Sequence, residues 1–197
     1  MDPTLLLVSG VGDAEGARGA AGALACAAST PDQAALLVDL GGQQPRPTLI
    51  SSPAATALET ATADLFPDHA PAARGQLCHL ALTPKGDRLT ALGLVAGTRI
   101  HVSHLVVHLS YELVLTVLRE GVLHPDGVLL RADTHSDRKM AAKAVRDLTR
   151  ADVPVVILGH RLNWVAERRA LFGVLPADAP GGLPGEIVTR LLPDSDG

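Results

Sequence analysis

Leu5-Leu6-Leu7-Val8 is an apolar run that stops in Ser9-Gly10-Val11-Gly12 and passes through Asp13-Ala14-Glu15-Gly16 into the alanine-rich segment that begins Ala17-Arg18-Gly19. A buried strand, a tight glycine turn and a helix N-terminus in that order bring backbone N–H groups and the positive helix end to one point. That geometry cradles a phosphate-sized anion. The candidate nucleotide-binding residues are therefore Gly10, Gly12 and Gly16, with Arg18 and Asp39 beside them. A loop that works on ATP also needs a lysine for the terminal phosphates and a Ser or Thr for magnesium. Here Gly16 is followed by Ala17 and Arg18, and the first lysine of the chain is Lys85. The turn has the shape of a nucleotide site without its chemical groups, so no catalytic residue and no cofactor is assigned.

At 197 residues the chain fits one domain, which buries roughly 70% of the surface its unfolded form exposes. Hydrophobic residues make up 47% and aromatics 2%, so the core is expected to be aliphatic, with Phe66, Tyr111, Trp164 and Phe172 as isolated large pieces. The net charge of -4 gives no global attraction to nucleic acid or to an anionic membrane. Cys26 and Cys78 lack CxxC spacing and read as reduced packing residues. The opening Met1-Asp2-Pro3 is acidic where a signal peptide would be basic, and no apolar run reaches the ~18 residues of a membrane span. A cytoplasmic protein without membrane insertion is expected.

Taken in order, Thr4 to Ser9 reads as a strand buried on both faces, Ala17 to Ser29 as a helix, and Ala34 to Leu40 as a second buried strand ending in an acid, Asp39. Gly41 to Pro47 is a loop, Ala54 to Leu65 a helix, Pro67 to Gly75 a connector, Leu77 to Leu82 a short strand and Arg88 to Val95 a weak helix. Ile100 to Leu109 is a third long apolar run, interrupted by His101, His104 and His108. Tyr111 to Gly121 is a helix and Gly127 to Leu130 a strand. A helix to about Arg150 follows, with Thr134 and Asp137 as a capping box and Met140, Ala141, Ala144, Val145 and Leu148 on its inner face. Val153 to Gly159 is a strand, and Trp164 to Phe172 and Glu186 to Leu192 are short helices. Residues 1–192 are expected to form one α/β domain, a doubly wound, mostly parallel sheet with helices on both faces, and 193–197 an acidic tail.

Three pieces of the chain carry a resemblance. They are the strand and turn of Leu5 to Gly16 with the following Ala23-Leu24-Ala25, then Leu36-Leu37-Val38-Asp39-Leu40-Gly41-Gly42-Gln43. The third is Pro125-Asp126-Gly127-Val128-Leu129-Leu130 with its helix, Val153 to Leu158, and Arg161-Leu162-Asn163. Together they resemble the MinD/ParA family of deviant phosphate-loop ATPases, and within it the degenerate branch similar to the CpaE/TadZ and septum-site-determining proteins. The departures all fall on the chemistry. The family's two loop lysines align near Val11 and near Gly16 or Ala17, its threonine near Ala17 or Arg18, and its second aspartate at Gly41. The aspartate that ends its middle strand appears as His108. The resemblance implies a nucleotide fold that has lost lysine charge and magnesium ligands, and with them ATP hydrolysis.

Several residues admit two readings. Arg18 either replaces the lysine, since guanidinium binds phosphate, or lies solvated on the helix. Asp39 either holds a ribose hydroxyl or is a retained structural carboxylate. His104 and His108 point the same way on a strand but sit about 13 Å apart, too far to share an ion, so no metal site is expected. From Arg131 to Arg169 nine Lys or Arg stand against five acids, which leaves that segment at +4 and the remainder at -8. Arg138, Lys139, Lys143 and Arg146 form a possible basic contact face, for an acidic partner or for DNA phosphates. The leading expectation is an inactive scaffold or positioning factor for a cell-envelope, pilus or secretion machine. It would work through protein partners and possibly a second copy of itself as a homodimer. A Rossmann-type enzyme or sensor binding a dinucleotide at Gly10 to Gly16 is the alternative, and a DNA-associated partition factor, with nucleic acid the less favoured partner, is the third.

Overall fold

Runs of apolar residues with no polar face leave their backbone N–H and C=O groups no water to bond, so they pair with one another. The computed structural model describes residues 4–12, 14–29, 33–40, 72–74, 77–81, 93, 102–132, 137–159, 174–175 and 191–192. Among them, β1 (Thr4–Gly10), β2 (Ala35–Asp39), β5 (His104–His108), β6 (Gly127–Ala132) and β7 (Val155–Gly159) are the strongly apolar strands, and β3 (Ala72–Arg74), β4 (Leu77–Ala81) and β8 (Val174–Leu175) extend the sheet at its sides. The eight strands lie in the order β3-β4-β2-β5-β1-β6-β7-β8. Every neighbouring pair is parallel except β3 with β4. β1 is central, between β5 and β6.

The three described helices are α1 (Ala14–Ala28), α2 (Tyr111–Glu120) and α3 (Asp137–Arg150). The crossover from β1 to β2 travels one way along the sheet past β5, whereas β5 to β6 travels the other way past β1. Right-handed connections running in opposite directions place their helices on opposite faces. Leu6, Val8, Leu37 and Val106 accordingly pack with Ala20, Ala21, Leu24 and Ala25 of α1. Leu5, Leu7, Leu36, Val38, Leu105 and Val107 pack on the other face with residues of α2 and α3, among them Val114, Val117, Val145 and Leu148. The doubly wound, mostly parallel α/β architecture expected from the sequence is the one observed.

Local chemistry fixes the ends. Ser110 caps α2, its hydroxyl accepting from the Leu113 N–H at 3.4 Å. Gly121 closes the helix with φ 64 and Val122 N–H reaches back to the Val117 carbonyl, a left-handed C-terminal cap that glycine adopts without strain. Asp126 clasps the start of β1. Its carboxylate accepts from Leu5 N–H at 2.7 Å while its own N–H donates to the Leu5 carbonyl at 2.8 Å.

Some boundaries and faces differ from expectation. α1 begins at Ala14 and not at Ala17, since Ala14 and Glu15 both favour helix and an acid suits the first turn. β3 lies inside the stretch read as a connector, and β8 was not anticipated. Met140, expected on the inner face of α3, is 49% exposed, and Cys26, expected to pack, is exposed on α1. The helices expected at 54–65, 164–172 and most of 88–95 and 186–192 lie outside the described residues, as do Phe66, Trp164, Phe172 and the tail at 193–197. Among the described residues no helix is long and apolar enough to cross a membrane.

Candidate functional site

Open α/β sheets place ligands at the carboxyl ends of the strands where the chain order reverses, which here is the end of β1 beside β5 and β6. Three residues, 11–13, separate β1 from α1. Gly12 takes φ 96, a left-handed conformation suited to glycine. The Val11 N–H, one of the groups an anion cradle would use, donates instead to the Arg131 carbonyl at 2.8 Å. Gly10 is the last residue of β1, and Gly16 lies in the first turn of α1, so the loop is shorter than the Gly10-to-Gly16 turn expected.

The sheet register then brings three side chains together. Asp39 ends β2 and is the register partner of His108, which ends β5. Asp39 has the strand parity of Ala35 and Leu37, which pack under α1, and α1 supplies Arg18. The Arg18 Nε lies 3.2 Å from Asp39 Oδ2, and His108 Nδ1–H donates to Asp39 Oδ1 at 2.9 Å. The Asp39 side chain is 1% exposed and the Arg18 side chain 36%. A buried carboxylate must be compensated by charge and hydrogen bonds, and this one is compensated from within the chain. Neither reading of Arg18 from the sequence included this ion pair with Asp39.

A cleft of about 610 Å³ opens at the same end of the sheet, lined among others by Gly10, Gly12, Leu40, Ser110, Tyr111, Met140 and Lys143. One wall is an α2–α3 clasp. The Tyr111 hydroxyl donates to Asp147 Oδ2 at 3.2 Å, and Lys143 Nζ donates to the same oxygen at 2.8 Å. The Lys143 hydrogen bond holds the Asp147 carboxyl below the usual carboxylate range, while burial and the nearby carboxylate push the Tyr111 hydroxyl upward. Of the expected basic face, Arg138 and Lys139 lie in the first turn of α3, and Lys143 and Arg146 are exposed farther along.

The histidines of β5 each have their own partner. His104, at the opposite end of the strand from His108, meets Gln33 Oε1 through Nε2 at 3.1 Å, and burial lowers its pKa from 6.5. His101 lies outside the described residues, among which no group of three metal-ligating side chains occurs. The Arg18–Asp39–His108 cluster was not anticipated as a unit. Its sequence signal was a charged or titratable residue closing each of two buried runs, a position that demands a partner.

No protein-family model matches the chain, and no curated protein matches it. The solved structure of the MinC:MinD cell division protein complex from Aquifex aeolicus is similar, with a TM-score of 0.53 and 13% sequence identity over 96% of this chain and 86% of that chain. At that identity the likeness is one of fold: the chain has a MinD-like fold.

Proposed function

We propose that this chain is a pseudo-ATPase of MinD/ParA type, which keeps the architecture, does not turn over ATP, and acts as a scaffold or positioning factor through protein contacts. The observation that carries the reading is the ion pair of Arg18 with Asp39, reinforced by His108. Magnesium and an attacking water need a carboxylate with free lone pairs facing the phosphates. Asp39 instead accepts the His108 hydrogen bond on one oxygen and holds the other within ion-pair distance of the Arg18 guanidinium. The Val11 N–H bond to Arg131 and the short turn support the same reading, because they withdraw a backbone donor from the place a phosphate would occupy. The neighbour of similar fold is itself in a complex with another protein, which suits a molecule that works by contact.

Turnover of ATP with magnesium by the purified protein tests this directly. Phosphate release at the level of the buffer is expected, and release that Asp39→Ala abolishes would overturn the reading. The cleft of about 610 Å³ favours one alternative, a sensor or enzyme for a dinucleotide or another phosphorylated ligand, since it falls within the size range of small-molecule sites.

A further inference from the structure

A second hollow, of about 360 Å³, runs between α2 and α3 on the face away from α1. Leu115, Leu118 and Ala151 line it together with Arg119, Lys143, Asp147 and Arg150. Leu115 and Leu118 are half-buried and packed on the core, so the apolar part is firm. Arg119 and Arg150 are exposed, and neither forms an ion pair among the described residues. Among the described lining residues Asp147 is the single acid, and it is already engaged by Lys143 and Tyr111.

We propose that this groove is a docking site for an acidic amphipathic segment of a partner protein, with apolar side chains on Leu115 and Leu118 and carboxylates on Arg119 and Arg150. Guanidinium forks match carboxylates in two-point geometry, which sets the register of such a segment. The cations select an anionic partner, and the apolar floor favours a peptide over a nucleic acid among such partners. A phosphate backbone gains nothing from leucines at the bottom of a groove, and two arginines beside a short apolar floor offer it no extended run of cations to follow. The proposal rests on the scaffold reading above and gives the chemistry of the partner.

The probe is a fluorescent synthetic peptide of about four helical turns, with leucines on one face and glutamates flanking them. Its anisotropy is followed on the full chain, beside a duplex DNA at equal salt. The acidic peptide should bind. Arg119→Glu with Arg150→Glu should weaken it by about tenfold or more, Leu118→Ser should weaken it without changing its salt dependence, and a peptide with serine for leucine should not bind. Unaltered melting temperatures will show that the variants are folded. Binding that survives the charge reversal, or DNA binding as tight as the acidic peptide, would overturn the proposal. ATP turnover measured on the same preparations separates the two ideas. Peptide binding lost by a protein without turnover defeats the groove alone, and turnover with peptide binding intact defeats only the pseudo-ATPase reading.

Discussion

Asp39 closes β2 with a carboxylate that the protein's own side chains surround. Its carboxylate is nearly sealed from solvent between Arg18 and His108, so Asp39→Ala leaves the buried imidazole without its partner and takes the counter-ion from the part-exposed guanidinium. A loss of about 3 kcal/mol in urea unfolding is expected. His104 makes a separate prediction. Burial favours its neutral form, so the unfolded chain binds the proton more readily, and the stability this residue contributes is complete above pH 6.5 and declines as the pH falls below it. Unfolding midpoints at pH about 7.5 and about 5.5 should differ more for the wild type than for His104→Gln. The sequence exposed Arg18, Asp39 and His108 as separate oddities. It did not expose their meeting, because residues 18, 39 and 108 converge only once β2 and β5 are neighbours and α1 lies above them.

At the level of strands and helices, the Asp126 clasp joins the start of β1 to the turn before β6 by two hydrogen bonds, one of them to a carboxylate. Asp126→Ala should cost about 2 kcal/mol, read as a lower denaturant midpoint with unchanged slope, since the β1–β6 ladder itself remains. The central strands were legible in the sequence because burial on both faces leaves an uninterrupted apolar run, as in Leu5 to Val8 and Val155 to Leu158. β3 and β8 were not, since three and two residues carry too little pattern and owe their state to the strand beside them. The start of α1 was misplaced because Gly16 reads as a turn residue, although helix propensity of its neighbours and the sheet beneath override one glycine. The inner face expected for α3 includes Met140. Met140 lies about 100° from the middle of the buried stripe of Ala142, Ala144, Val145 and Leu148, and so it reaches the cleft.

For the whole molecule, the reversal of chain order beside β1 marks the crevice where an open α/β sheet receives a ligand, without fixing whether one binds. Thermal melting decides that. A ligand at 100 times its dissociation constant adds about 2.7 kcal/mol. No shift is expected with ATP and magnesium, and a rise with NAD(P) alone would favour the sensor alternative. Lys143 forms part of the lining of both hollows, the cleft beyond β1 and the groove between α2 and α3. One ammonium cannot serve two guests at once. Occupancy on either side that draws it from Asp147 must alter the affinity on the other, and by thermodynamic necessity the influence runs equally in both directions.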